Sequence, residues 1–181
     1  PKDVRYLKFQ AARILERRGD LGSALSAYEA LWAGAEHDEY AARAVYRAGR
    51  ILLDGYGDEA GALRVFERLV MSRPDRAVAD RAVIDMLALL DRKGQKREAL
   101  MLLDRLYQGV GHTSMGDNLL YLMAARLLET GDFQRAQLAY NKILMFHSGT
   151  GLADNARWHL AELSAHDGDL QAALVHLKLL A

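Results

Sequence analysis

Thr130-Gly131-Asp132-Phe133-Gln134-Arg135-Ala136-Gln137-Leu138-Ala139-Tyr140-Asn141-Lys142-Ile143 is the stretch whose reading decides the fold. Glycine suits the left-handed end of a helix, where a Cβ would clash. The aspartate after it can accept from free backbone N–H groups and cap a second helix. Beyond it, Phe133, Ala136, Tyr140, Ile143 and Leu144 recur at helical spacing. The stretch therefore reads as turn plus amphipathic helix. It also repeats. Gly19, Gly57, Gly94, Gly131 and Gly168 are 38, 37, 37 and 37 residues apart. Ala24, Ala62, Ala99, Ala136 and Ala173 follow them at one offset, and Tyr28, Phe66, Leu103, Tyr140 and Leu177 at a second. Leu31, Leu69, Leu106, Ile143 and Leu180 hold a third. Such a unit cannot bury its apolar face alone, so its neighbours must stack on it.

Before each turn lies another helical pattern, such as Leu119, Leu120, Met123, Leu127 and Leu128. No window alternates with period two over a strand length, so no strand is expected. The expected fold is all-α: a right-handed superhelical solenoid of about five antiparallel helix pairs. Its repeats run near 3–36, 37–74, 75–111, 112–148 and 149–181, as one domain. The links between repeats are Ala33 to Asp38, Ser72-Arg73-Pro74, Gln108 to Gly116, and His147 to Gly151. The one interval of 38 is assigned to an extra residue in the loop Asp54-Gly55-Tyr56-Gly57. The start at Pro1 without Met and the stop at Ala181 suggest that both ends are cut from a longer protein.

At 181 residues, 51% hydrophobic and 27% charged, the chain can bury a sizeable core. Basic and acidic residues number 24 each and balance in both halves, so no net positive field points to nucleic acid. No apolar run approaches the roughly 20 residues of a membrane helix. The absence of cysteine excludes disulfides, thiolate metal sites and a cysteine nucleophile, and leaves the compartment open.

The Gly-Asp turn, the alanine after it and the two apolar positions beyond resemble the tetratricopeptide repeat family over essentially the whole chain. Pro74 falls where that family often has proline. The small residue midway along the family's first helix is matched by Ala12, Gly49, Ala124 and Ala161, and Leu87 replaces it in the third repeat. The family period is about 34; here it is 37. This longer period, with the string Ala153-Asp154-Asn155-Ala156-Arg157-Trp158-His159-Leu160-Ala161-Glu162-Leu163, looks like the bacterial cell-envelope members. Those include Tol-Pal-associated coordinators, lipoproteins of outer-membrane protein assembly, and scaffolds of polysaccharide export. The resemblance implies a protein-binding scaffold within an envelope assembly, periplasmic and outer-membrane-associated, with a cytoplasmic setting left open. Two other readings stand beside it. One is a structural spacer that self-associates through its C-terminal helix, at Leu174, Leu177 and Leu180. The other is a polysaccharide-binding scaffold.

In this architecture the first helices line the binding groove. Registered on the turns, they place Phe9, Tyr46, Ile84, Tyr121 and Trp158 in one column, four of them aromatic. Aromatics supply contact area at low entropic cost, so the column is a candidate peptide groove; packing between helices is the alternative. Three residues earlier stand Tyr6, Arg43, Arg81, Asn118 and Asn155. Four residues later come Arg13, Arg50, Ala88, Ala125 and Glu162. Arg13, Arg43, Arg50 and Arg81 could therefore cluster and grip an acidic segment or a free C-terminus. The alternative is a solvated face on which Glu16, Asp54 and Asp91 neutralise them.

Other chemistry finds little support. His159, Glu162 and His166 share a helix, but two histidines seven residues apart are roughly 10 Å apart along its axis, too far for one metal. Gly109-Val110-Gly111 and Gly149-Thr150-Gly151 lack the Lys-Ser/Thr ending of a phosphate loop. Glu36, Asp38 and Glu39 fall in an apparent loop, a usual place for solvated acids. No catalytic constellation, cofactor motif or metal site is expected, and the chain reads as a non-enzyme.

Overall fold

A computed structural model describes residues 2–33, 38–72 and 76–180. Ten α-helices and no strand occur among the described residues. They are α1 (Lys2–Arg17), α2 (Leu21–Trp32), α3 (Glu39–Arg50), α4 (Glu59–Met71), α5 (Arg76–Arg92), α6 (Lys96–Val110), α7 (Gly116–Glu129), α8 (Phe133–Phe146), α9 (Leu152–His166) and α10 (Leu170–Lys178). The chain divides into two compact units, Pro1–Lys93 and Gly94–Ala181. Pro74 and Glu36 lie outside the described residues.

The turn chemistry is as the spacing implies. All five turn glycines have positive φ, between 66° and 83°. The N–H of Asp20 reaches back to the carbonyl of Leu15 at 3.1 Å, while Gly19 N–H reaches Glu16 at 3.0 Å. Asp132 and Asp169 repeat this pair of bonds, which closes a helix end on a left-handed glycine. The same aspartates then work forwards. Asp20, Asp58, Asp132 and Asp169 each accept from the backbone N–H three residues on, at 2.8–3.2 Å. One residue thus ends a helix with its N–H and starts the next with its carboxylate. Gln95, in the third turn, makes no side-chain cap.

The second turn corrects the placing of the extra residue. It is wound into the helix rather than left in the loop. α3 continues as a π-helical turn, Ile51–Gly55, and Tyr56 N–H bonds to the Ile51 carbonyl at 3.2 Å. The closing bond from Asp58 reaches Leu52, one residue further back than its counterparts. A one-residue insertion in a helix is accommodated as such a turn because every N–H still finds a carbonyl. The third link is also shorter than expected, since α6 runs on to Val110.

Within residues 2–93 the first helix α3 touches both α1 and α5, with α2 and α4 packed between successive ones. Within residues 94–180, α7 touches α9, α6 packs on α7, α8 on both α7 and α9, and α10 on α9. The repeated alanine and large apolar positions make the core of each unit. Ala24, Tyr28 and Leu31 join Phe9, Ala12 and Ala48 in the first. Ala136, Tyr140 and Ile143 join Ala124, Leu127 and Leu160 in the second. α3 and α4 approach closely at Gly49, where a Cβ would lie 2.4 Å from Phe66 Cε1.

Candidate functional site

The aromatic column does not share one environment. In the first unit Phe9 is buried, 5.8 Å ring to ring from Tyr28 and 6.1 Å from Tyr40. Tyr46 is half-buried, its ring 5.7 Å from Phe66 and its hydroxyl donating to Asp85 Oδ2 at 2.9 Å. Ile84 is 55% exposed. In the second unit Tyr121 is half-buried and Trp158 is 52% exposed. Asn155 is exposed, and Asn118 is half-buried with partners of its own.

Around Phe9 and Tyr46 the first helices leave a cleft of about 320 Å³, lined also by Arg13, Arg43, Arg47, Ala77, Val78 and Arg81. α1 supplies Arg13, α3 supplies Arg43 and Arg47, and α5 supplies Arg81. Three of the four arginines expected to cluster therefore line one cavity. The fourth, Arg50, is held elsewhere. Its Nε donates to Asp54 at 2.8 Å and its Nη1 to Asp85 at 3.2 Å. Burial opposes the charge of Arg50, yet the bonds and charges of Asp54 and Asp85 outweigh it and raise its pKa.

The cleft arginines differ in how well they are neutralised. Arg47 is clamped by Glu16 in a two-bond fork, Nε to Oε2 at 3.0 Å and Nη2 to Oε1 at 2.6 Å. Tyr28, fully buried, donates its hydroxyl to the same Oε2 at 2.8 Å. Burial and then Glu16 push the Tyr28 phenol upward, so it stays protonated as the donor. Arg43 pairs with Glu39 at 2.5 Å, but both side chains are about half exposed and such a pair is worth little. Arg13 Nη1 donates to the side-chain Oε1 of Gln10 at 3.4 Å. No carboxylate among the described residues lies within 4.0 Å of Arg13 or Arg81. The cleft thus keeps two arginines without an acidic partner and a third that a ligand can take over. Arg47, with its Glu16–Tyr28 support, was missed from sequence. Its position one residue past Tyr46 was not among the columns considered.

The second unit builds a different arrangement. Tyr121 faces His159 Nε2 at 3.2 Å, and His159 Nδ1 faces Glu162 at 2.9 Å. With the imidazole neutral, the carboxylate can only accept, so Nδ1 carries the proton and Tyr121 donates to Nε2. The Tyr140 ring stacks on His159 at 5.0 Å and 19°, and meets Tyr121 edge-on at 5.9 Å. This locks α7, α8 and α9 together. His166 turns instead to Asp167 and to the Phe133 ring. No group of three or more potential metal ligands occurs among the described residues. A second cleft, of about 510 Å³, lies at the ends of α6 and α8, lined by Tyr107, His112, Phe146 and His147.

No family model matches the sequence, and no curated protein does. Solved structures do match. MamA, residues 41 to the end, from Desulfovibrio magneticus RS-1 aligns at TM-score 0.52 and 19% identity over 97% of this chain and 92% of that one. Another MamA crystal structure aligns at TM-score 0.53 and 15% identity over 98% and 90%. A tetratricopeptide repeat protein from Parabacteroides merdae ATCC 43184 aligns at TM-score 0.52 and 16% identity over 97% and 65%. The chain has the fold of the tetratricopeptide repeat proteins.

Proposed function

We propose that this chain is a protein-binding scaffold whose first unit holds an acidic segment of a partner protein in the cleft between α1, α3 and α5. The observation that carries this is the pair Arg13 and Arg81, which line one cavity without a carboxylate partner among the described residues. A guanidinium grips a carboxylate through two parallel bonds, and Phe9 and Tyr46 give the cleft an apolar wall. Arg43 completes the set by exchanging Glu39 for a ligand carboxylate. We place the scaffold in a bacterial envelope assembly, periplasmic, on the strength of its long repeat; fractionation of cells producing the full-length protein tests that setting.

Binding is measured by fluorescence anisotropy with a labelled Glu/Asp-rich decapeptide against its Gln/Asn counterpart. The acidic peptide should bind more tightly, and Arg13→Ala with Arg81→Ala should weaken it about tenfold or more, the worth of one or two charged hydrogen bonds. Equal binding of both peptides, or no loss in the double variant, refutes the cleft reading. A second reading rests on Trp158, exposed beside Asn155 on α9. An indole so placed can stack on a sugar ring. Oligosaccharide titration should then change tryptophan emission in the parent and leave it unchanged in Trp158→Phe.

A further inference from the structure

The chain makes one kind of joint four times. A second helix packs on the first helix that follows it: α2 on α3, α4 on α5, α6 on α7 and α8 on α9. In both described clusters the joint has the same parts. Tyr28 and Leu31 of α2 cluster with Ala44 and Ala48 of α3 and with Ile51 just after it. Tyr140 and Ile143 of α8 cluster with Ala156, Leu160 and Leu163 of α9. None of these residues is more than 6% exposed.

Two halves of such a joint stand open. On α1 the residues at the register of Ala44, Ala48 and Ile51 are Leu7, Ala11 and Ile14, with Val4 one turn earlier. Spacings of three and four residues put them in one line along the helix. Their counterparts are buried, yet Val4, Leu7 and Ile14 are 45–63% exposed, and Ala11 is exposed as well. Beside them α1 and α2 leave a groove of about 350 Å³, lined in part by Lys8, Ala11, Ala27 and Ala30. On α10 the residues at the register of Tyr28 and Leu31 are Leu177 and Leu180, and Leu174 stands one turn before them. Leu174 and Leu177 are 39–49% exposed. Apolar faces this open mark an interaction surface.

Side-chain size says which helix belongs on α1. Where a second helix brings a ring, the next first helix offers alanine: Tyr28 with Ala44, Phe66 with Ala82, Tyr140 with Ala156. Where it brings leucine, at Leu103, the next first helix offers Leu119. All eight are at most 1% exposed. Large thus answers small across the joint, as close packing demands. Leu7 stands at the alanine position of α1, so its complement is a second helix with leucine, and α10 with Leu177 is such a helix. We infer that a second copy of this chain lays its α10 on the open face of α1, head to tail, as a fifth joint of the kind already made four times. The charged residues fit this placing. Lys8 has its counterpart in Arg157 of α9, whose side chain is only 22% exposed. Lys178 stands at the register of Glu29, Asp104 and Asn141, which all face solvent. The contact joins unlike faces, so copies add to copies and do not close as a symmetric pair. It uses neither Arg13 nor Arg81 and is independent of the cleft reading.

Sedimentation velocity of the 181-residue chain tests this. One helix on another buries less than a standard interface, so the runs span about 5 to 500 µM. The parent chain should self-associate as concentration rises. Leu7→Glu and, separately, Leu174→Glu should each weaken that association at least about tenfold. Circular dichroism should stay unchanged, because both side chains are half exposed or more. The decisive sample is an equimolar mixture of the two variants. Each keeps the face that the other has lost, so the mixture should form a heterodimer and stop there. A parent that stays monomeric throughout overturns the proposal and leaves both faces to other helices. Undiminished association of Leu7→Glu overturns it too, and assigns the contact to α10 against α10. So does a mixture that stays monomeric. The same two variants are then compared in the full-length protein, where self-association untouched by either one also overturns the proposal.

Discussion

Substitution of Gly49 by alanine is expected to destabilise the first unit, although glycine to alanine in a helix ordinarily does the reverse. A Cβ built at Gly49 lies 2.4, 2.8 and 2.9 Å from three carbons of the Phe66 ring. Ordinary carbon contacts are about 3.5–4.0 Å, so the overlap approaches 1 Å on a face of the ring. Phe66 is fully buried, with Tyr46 5.7 Å away ring to ring, and cannot swing into solvent. Overpacking of this kind costs about 1–3 kcal/mol. Alanine returns about 0.8–1 kcal/mol of helix propensity. The balance is a loss of about 0–2 kcal/mol, or up to about 8 °C in melting temperature at roughly 2–4 °C per kcal/mol for a chain of this size. Gly22, in the first turn of α2, supplies the control, because its added Cβ would meet nothing nearer than the Tyr56 hydroxyl at 3.7 Å. Gly22→Ala should stabilise by up to about 1 kcal/mol. Phe66→Leu removes the ring carbons that clash, so Gly49→Ala should become neutral or favourable in that background, a coupling of about 1–3 kcal/mol. Urea unfolding followed by circular dichroism measures all four variants. If Gly49→Ala and Gly22→Ala shift the midpoint in the same direction, or if Phe66→Leu leaves the effect of Gly49→Ala unchanged, the packing argument is refuted.

Other predictions follow the same networks. Glu16→Gln puts an amide where Tyr28 and Arg47 both need an acceptor, and should cost about 1–2 kcal/mol after allowance for the part-exposed guanidinium, read as a lower urea midpoint. Burial, and for Tyr28 the neighbouring Glu16, raise the pKa of Tyr28 and Tyr140 in the folded state. The stability they contribute is therefore complete below the unfolded tyrosine value near 10 and lost as pH rises through and above it, by about 1.4 kcal/mol per pH unit for each. Urea midpoints at pH 9 and pH 11 test this, and Tyr28→Phe should flatten the dependence; a midpoint independent of pH contradicts it. Asp132→Ala removes the cap of α8 and should cost about 0.5–2 kcal/mol by thermal melt.

The helix pairs and their turns were legible because turn chemistry is local. Gly131 and Asp132 declare a helix end and a helix start whatever surrounds them, and five copies in register make the reading secure. Gly49 was legible only as a small residue; that Phe66 demands it is a matter of packing across helices. The extra residue near the second turn was detectable as a spacing of 38, but its form was not. A loop insertion and a π-helical turn have the same length, and the backbone takes whichever satisfies its hydrogen bonds.

The candidate site divides in the same way. Registering the first helices on their turns placed Arg13, Arg43, Arg50 and Arg81 on related faces. Which of them remain available depends on carboxylates from other elements: Asp85 on α5 reaches back to Arg50 on α3, and Glu16 on α1 reaches forward to Arg47. Those partners are 31 and 35 residues away, beyond any periodicity within a helix. Charge shows the point most plainly. The sequence by itself determined a neutral chain of repeated helix pairs, since residue counts and turn spacing need no third dimension. Only the tertiary structure decided which of those charges pair, Arg50 with Asp85 and Arg47 with Glu16, because a side chain's field acts from where its helix is packed and not from its place in the order of residues.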